Sequence, residues 1–187
     1  MAAAASTLAI RPFWKTHDPE SQWHPSEYVL DDTHYIHAEQ GMMTGKARLF
    51  GDKVTESKIL KAKNARTIKD LGREVKPFDD EVWLANCYRI VYLQNYAKFA
   101  QNPKLREYLL GTGEAELIEC SPYDRLYGVG YDEKNLPADR TKWGKNYLGL
   151  VLMDVRDRLR RESPEDSARL SLLSSNSPSQ MNPRVAA

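Results

Sequence analysis

A helical repeat of apolar residues near the carboxyl end of the chain constrains the fold most strongly. Apolar side chains recur at i, i+3, i+4, i+7 and i+11: Leu148, Val151, Leu152, Val155 and Leu159. This spacing places apolar side chains on one face of an α-helix. The longest helix is predicted over EVWLANCYRIVYLQNYAKFA, residues 81–100, and can begin at Asp79 or Asp80. We expect both helices to contribute to the core.

Shorter helices and strands lie between these two long segments and before them. Cap and stop residues predict four helices: one ending at Gly51, one over residues 54–63 behind Asp52, one opened by a capping box at residues 67–70, and one from Asn102-Pro103 to Gly111. Strand candidates cover residues 10–14, 28–30, 116–120 and 126–131. Because the strands are scattered without a βαβ rhythm, the sequence predicts an α+β fold, predominantly α-helical, with a small β-sheet.

The composition along the chain predicts one domain between two tails. Residues 162–187 contain seven serines and three prolines without a sustained period, so we expect a disordered tail there, with at most a short helix around residues 170–173. Residues 1–9 are expected to be flexible. The predicted single compact domain therefore covers residues 10–161.

Charge and cysteine usage limit the functional classes. The chain has 27 basic and 26 acidic residues, for a formal net charge of +1 at pH 7, so any contact with a polyanion must be local. Its two cysteines, Cys87 and Cys120, lie in apolar runs and are expected to pack as free thiols in a reducing compartment.

No apolar run reaches membrane-spanning length, and the amino terminus lacks the basic residues of a secretory signal. We therefore expect a cytoplasmic or nuclear protein with no membrane partner, and a monomer is favoured. The acid-free stretch before Asp18 leaves a transit peptide open.

An acid and a base within one predicted helix indicate a pocket. In HAEQGMMTGKARLFGD, residues 37–52, Glu39 and Lys46 are seven residues apart. That is two helical turns, so both side chains project from nearly the same face, about 10 Å apart along the axis. Charges on a solvated helix more often pair at a spacing of four. A solvated face remains the alternative.

Common catalytic and cofactor motifs are missing or incomplete. Neither Gly111-Thr-Gly113 nor Gly128-Val-Gly130 has the third glycine of a dinucleotide-binding loop. His34 and His37 could share a helix face, but no cysteine pair or H-E-x-x-H accompanies them. We therefore expect no metal and no cofactor.

Several segments in order together resemble the NADAR family. They are SQWHPSEY (21–28), AEQGMMTGKARLFGD (38–52), IKDLGREVKPFDDEVW (68–83), KFAQNPKLREYLLGTGEAELIECSPYDRLYGVG (98–130) and WGKNYLGLVLMDVRDRL (143–159). The chain departs from the family pattern in three places. Gly41 stands where the family usually has a large residue, and Gly45 replaces a glutamine before the lysine. Tyr127-Gly128-Val129-Gly130 stands where Trp-Gly-x-Gly is common.

The resemblance implies an N-glycosidase fold and ligands related to ADP-ribose. Members of the family remove ADP-ribose from guanine bases in nucleic acid, and a bacterial branch hydrolyses riboflavin-pathway intermediates. The chain looks more like the eukaryotic, guanine-directed type. Three alternatives stay open: a hydrolase of ADP-ribosylated guanine, an N-glycosidase of small phosphoribosylated metabolites, and a non-catalytic ADP-ribose-binding module.

The resemblance also gives roles to individual residues. Glu39 and Asp124 are the acid–base candidates, and Lys46 either orients the sugar or forms a Schiff base with it. The ligand-binding candidates are Lys69 and Arg73 for a diphosphate, Trp23, Trp83 and Tyr127 for stacking on a base, and Gly128, Gly130 and Asn146 in the last matched segments. Trp83 could instead be core, and Arg73 could pair with a helix end. The basic cluster Lys58, Lys61, Lys63 and Arg66 could contact nucleic acid or be a solvated helix face.

Overall fold

A computed structural model of the protein describes residues 9–173. Within that range, the helices and strands follow in this order: β1 (Ile10–Phe13), β2 (Tyr28–Leu30), β3 (Thr33–Tyr35), α1 (Ala38–Leu49), α2 (Lys53–Lys61), α3 (Ala65–Glu74), α4 (Asp80–Gln101), α5 (Pro103–Gly111), β4 (Glu116–Glu119), α6 (Tyr147–Arg161) and α7 (Pro164–Leu170). The predicted α+β fold, mainly helical with little sheet, is confirmed.

The core is built around α4 and α6. All five residues of the predicted apolar repeat in α6 are fully buried, and the second half of α4 is buried nearly all round. Helix α1 packs against α3 and α4. Its Gly41 has a packing reason, because a Cβ there would lie 2.0 Å from Oε1 of Gln94. None of the helices described between residues 9 and 173 combines the length and hydropathy needed to cross a membrane.

The strands form two separate pairs. β1 and β4 are parallel, with Ile10 opposite Glu116 and Phe13 opposite Glu119, while β2 and β3 form an antiparallel hairpin. The predicted strand at residues 126–131 is wrong. That segment is a series of bends, and Gly130 adopts a left-handed φ of 77° that an extended strand does not have.

Side-chain caps start α2 and α4 where the sequence predicts them, whereas Asn102 precedes α5 without a side-chain cap bond. Asp52 Oδ1 accepts a hydrogen bond from Thr55 N (2.9 Å), and Asp79 Oδ1 accepts one from Val82 N (2.9 Å). Helix α3 begins earlier than predicted. Asn64, rather than Thr67, is its N-cap, because Asn64 Oδ1 accepts hydrogen bonds from the backbone of Arg66 and Thr67.

The folded chain continues beyond position 161. Helix α7, within the segment predicted as a tail, packs against α4. Ser163 caps it, Ser167 is fully buried, and Gln101 Nε2 donates to Ser171 Oγ (2.9 Å). Small serines allow this close packing, which serine-rich composition alone does not indicate. The remaining tail predictions, for residues 1–8 and 174–187, lie outside the described residues.

Candidate active site

A cavity of about 750 Å³ opens between α1, α3 and the loops that follow β1 and β4. Its size is that of a small-ligand pocket. The lining includes eight of the residues proposed from the sequence: Trp23, Glu39, Lys46, Lys69, Arg73, Trp83, Asp124 and Tyr127. The structure therefore brings together residues that are up to about a hundred positions apart in the chain.

Glu39 lies in the first turn of α1 and is only 4% exposed. Burial raises the pKa of its carboxyl to about 6, and Asp124 acts in the same direction. Lys69, a hydrogen bond with Trp23 and Arg73 oppose that rise in pKa. Glu39 can therefore exchange a proton close to neutral pH.

Asp124 is fixed by its own loop. Its Oδ1 accepts hydrogen bonds from Leu126 N (2.9 Å) and Tyr127 N (2.8 Å). These bonds form a tight turn that holds the carboxylate against the cavity. A turn of this kind gives a reacting group a defined position without a helix or a strand.

Glu119 is a third carboxylate on the lining, and it is absent from the residues proposed from the sequence. It is the last residue of β4, at the carboxyl end of the parallel pair, which is where ligands gather in parallel sheets. Burial raises the pKa of Glu119 to about 8, and the charge of Asp124 is the second cause of that rise. Its position at the end of a short apolar strand was the one available sequence signal.

The Lys46 ammonium makes its contacts with α3 and with the segment that leads into α4. Its Nζ donates to Gly72 O (2.9 Å) and stands over the Phe78 ring (4.1 Å to the centroid). Burial lowers the pKa of Lys46, and the charge that chiefly opposes this is that of Asp80, not Glu39. The lysine that influences the pKa values of Glu39 and Glu119 is instead Lys69.

Further cations lie at the rim. Arg73 is 65% exposed in its side chain and pairs with Asp70 (2.9 Å), while its charge reaches Glu39. Of the outer basic cluster, Arg66 lies on the cavity lining and Lys61 is exposed on α2. The rim therefore carries two exposed arginines, Arg66 and Arg73, which share Asp70 as an ion-pair partner.

The aromatic candidates divide into core and lining. Trp83 is both: it is 8% exposed, packs in the core and lines the cavity. The Lys69 Nζ stands 5.9 Å from the Trp23 ring. Tyr127 packs edge-on against Tyr147, and burial raises the pKa of its enclosed hydroxyl.

Three residues proposed as ligand contacts do not lie on the lining: Gly128, Gly130 and Asn146. Asn146 Oδ1 accepts from Glu119 N (3.0 Å), and its Nδ2 donates to Leu117 O (2.9 Å). A Cβ on Gly128 would stand 2.8 Å from Glu119 O. Asn146 and Gly128 therefore hold the backbone of Glu119, and Gly130 supplies the left-handed turn beside them.

A buried lysine holds the wall that carries Trp23. Lys98 is fully buried, and its Nζ donates to Pro19 O (2.7 Å) and Ser21 O (2.9 Å). Burial lowers the pKa of Lys98 to about 7, against the opposing charge of Glu20. In the sequence it resembles an ordinary cation in the last turn of a helix.

Among residues 9–173, no group of three histidine, cysteine or acidic side chains is arranged to hold a metal ion.

Known proteins are similar to this chain in sequence and in fold. A family model described as the NADAR domain matches residues 12–160. An N-glycosidase of Acanthamoeba polyphaga mimivirus is 41% identical over 146 residues, which cover 73% of this chain and 85% of that protein. A riboflavin biosynthesis protein of Vibrio vulnificus is 32% identical over 64% of this chain, but this match spans only 30% of that protein. The NMR structure of Escherichia coli YbiA superposes with a TM-score of 0.67 at 26% identity, covering 82% of this chain and 86% of that one.

Proposed function

The chain belongs to the NADAR domain family, and from that premise we propose that it removes ADP-ribose from guanine bases in nucleic acid. Relatives named N-glycosidase, one of them 41% identical over most of the chain, give the reaction class. The protein is a hydrolase that acts on N-glycosyl bonds. The guanine-linked substrate is the further step.

The observation that carries the proposal is the cavity with carboxylates, cations and aromatic rings on one lining. Cleavage of an N-glycosidic bond develops positive charge on the sugar and requires a proton for the departing base. Carboxylates at the reacting carbon serve both needs. Glu39, with a pKa of about 6, is suited to accept a proton from water, and Asp124 faces the developing positive charge.

The remaining lining groups fit the two halves of ADP-ribose. Lys69 and Arg73 are the cations we assign to the diphosphate, because both line the cavity and neither is enclosed. The rings of Trp23 and Trp83 offer flat surfaces on which a base can stack. The cavity of about 750 Å³ accepts a nucleotide but not a folded polynucleotide, so a nucleic acid would present one modified base to it.

Lys46 gives the reaction a covalent route. An exocyclic amine on C1 allows the sugar ring to open: the nitrogen lone pair forms a C1=N bond, the C1–O bond breaks, and the ring oxygen keeps that electron pair and takes up a proton. The neutral Lys46 amine adds to C1, the guanine amine leaves with a proton, and water then releases ADP-ribose from the lysine imine. Burial lowers the pKa of Lys46, which favours the neutral amine relative to an exposed lysine, while Asp80 and the Phe78 and Trp83 rings favour the charged form. In the alternative route Lys46 stays a cation, and water attacks C1 directly.

Borohydride added during turnover tests the covalent route. The sugar should be fixed to Lys46 and appear as an adduct in the intact-protein mass. Lys46→Arg keeps the charge and removes the usable amine, so it should abolish both the adduct and turnover. Substantial turnover by Lys46→Arg would exclude the Schiff base and leave the lysine as an electrostatic contact.

A comparison of substrates tests the proposed function itself. One preparation should receive DNA carrying ADP-ribosylated guanine, the equivalent RNA, and free phosphoribosylated pyrimidines. We expect release of ADP-ribose from the modified guanine in nucleic acid. The second candidate is a small-molecule N-glycosidase, favoured by the net charge of +1 and the similarity to a riboflavin biosynthesis protein. Turnover of the free pyrimidines alone would establish that candidate and reject ours.

A further inference from the structure

The backbone of Glu119 is held by hydrogen bonds along both edges of β4. Its backbone N–H donates to Asn146 Oδ1 (3.0 Å), and its backbone carbonyl accepts from Val129 N (3.0 Å). The other edge of β4 pairs with β1, and Cys120 N donates to Phe13 O (2.9 Å). The backbone around Glu119 is therefore fixed on both sides, with Gly128 allowing the close approach.

The side chain of Glu119 lies among other acids. Its Oε2 is enclosed, and no group of the described residues 9–173 donates a hydrogen bond to it. Asp124 and Glu39 are the acids that act on it, and Lys69 supplies the opposing charge. An ionised carboxylate at such a place would be an incompletely paired buried charge, which is strongly unfavourable. A protonated carboxyl avoids most of that cost.

The neighbouring acids have different surroundings. Asp124 accepts two backbone hydrogen bonds from its own loop, and Glu39 has a hydrogen bond with Trp23. Glu119 Oε2 has neither kind of support within the described part of the chain. Three acids on one lining in three different settings suit a division between proton donor and proton acceptor.

We propose that Glu119 is the general acid that protonates the departing base during N-glycosidic cleavage. The bond between C1 of the sugar and the base nitrogen breaks, its electron pair stays on nitrogen, and that nitrogen takes the proton from the Glu119 carboxyl. The new Glu119 carboxylate is then opposite the positive charge on the sugar. Water adds its oxygen to C1, or to the lysine imine in the covalent route, and a proton derived from that water restores Glu119. This role rests on the proposed function.

The protonation equilibrium of Glu119 agrees with this role. Burial and Asp124 raise its pKa to about 8, so the carboxyl holds its proton at pH 7 in the ligand-free protein. A general acid works best when its pKa is close to the working pH. Because the protonated form is the active one, kcat should fall as pH rises through about 8.

The test compares Glu119→Gln with Glu116→Gln. Glu116 lies on the same strand but pairs with Arg140 (2.6 Å) and is not on the cavity lining. With a DNA oligonucleotide carrying one ADP-ribosylated guanine, Glu119→Gln should lower kcat by about 10²-fold or more, the scale of positioned acid catalysis, with a smaller change in KM. Its residual kcat should lack the fall above pH 8. Glu116→Gln should keep both the wild-type kcat and that alkaline fall.

Carbon-13 NMR of glutamate-labelled wild-type protein, assigned with the two variants, gives a readout independent of activity. The Glu119 carboxyl should remain protonated at pH 7. Ionisation of Glu119 well below pH 7, or wild-type kcat and pH profile in Glu119→Gln, would overturn the role while leaving the proposed function intact. No turnover of the oligonucleotide by the wild-type protein would overturn the proposed function, and this role with it.

Discussion

Replacing Asn146 should destabilise the protein by removing the support of β4. Asn146 is 8% exposed and has a left-handed φ of 51°. Its side chain satisfies two backbone groups on the open edge of β4, namely Glu119 N–H and Leu117 C=O. It thereby takes the place of a neighbouring strand. The resemblance to the family implies a ligand contact instead, so the two roles make different predictions.

The size of the effect follows from those contacts. Leaving a buried backbone donor or acceptor unpaired costs about 1–3 kcal/mol; at about 1.5 kcal/mol for each of the two groups, the loss is about 3 kcal/mol in all. An alanine in the left-handed conformation adds about 1 kcal/mol, which glycine avoids. We therefore expect Asn146→Ala to lose about 4 kcal/mol of unfolding free energy and Asn146→Gly about 3. Against a total of about 5–15 kcal/mol, either loss is large.

Urea unfolding, combined with ADP-ribose titration of the folded variants, measures both roles. Asn135→Ala is the matched control, because Asn135 is exposed and bonds only locally to Asp132; it should change stability by less than about 1 kcal/mol. The reasoning is refuted if Asn146→Gly unfolds like the wild type. If that variant also binds ADP-ribose at least about tenfold more weakly, Asn146 contacts the ligand.

Three further changes probe the acid, the rim and the carboxyl-terminal helix. Glu39→Gln should lower turnover by about 10²-fold. It should also raise stability at pH 7: the pKa of Glu39 rises from 4.5 to about 6 on folding, so its contribution is present below pH 4.5 and is lost as pH rises through 6, a difference of about 2 kcal/mol. A urea midpoint no higher than wild type at pH 7, or one that stays higher at pH 4, would contradict this. Arg73→Ala should weaken ADP-ribose binding about tenfold in calorimetry. Lys61 is exposed on α2, so Lys61→Ala should leave that affinity unchanged. Equal ADP-ribose affinity of the Arg73→Ala and Lys61→Ala variants would remove the diphosphate role of Arg73. Ending the chain after residue 161 removes α7 and should lower the melting temperature by several degrees relative to a chain ending after residue 173, whereas equal melting would mean that α7 adds nothing to stability.

Much of the helical fold could be predicted because its signals are local. The apolar spacing in α6 and the aspartate caps of α2 and α4 involve residues within a few positions of each other. The strand prediction at residues 126–131 failed because β-propensity says nothing about whether a partner strand is present. Strand β3 has three residues, too few for a period-two pattern to be distinguished.

The parts of the site that lie on one helix could be predicted from the sequence, and the parts that depend on long-range contacts could not. Glu39 and Lys46 share one helix, so their common face follows from the spacing. Glu119 reaches the cavity through the pairing of β4 with β1 and through a loop that returns at Val129. Lys98 does not line the cavity but supports its Trp23 wall, through contacts 77 and 79 residues away in sequence. Contacts at such separations leave no local pattern, which is why both residues were missed and why Asn146 was given a ligand role.

The groups around the cavity show how the fold prepares acid–base chemistry near neutral pH. Burial raises the pKa values of Glu39 and Glu119 and lowers those of Lys46 and Lys98. The pKa values of these acids and these lysines are therefore closer to each other than in the unfolded chain. Each shift costs folding free energy, because each group is charged more easily in the unfolded chain. The apolar packing of α4 against α6 offsets that cost away from the cavity. Replacing Glu39 or Glu119 by glutamine should therefore stabilise the fold at pH 7 while it impairs turnover, the opposite of what removing a structural ion pair would do.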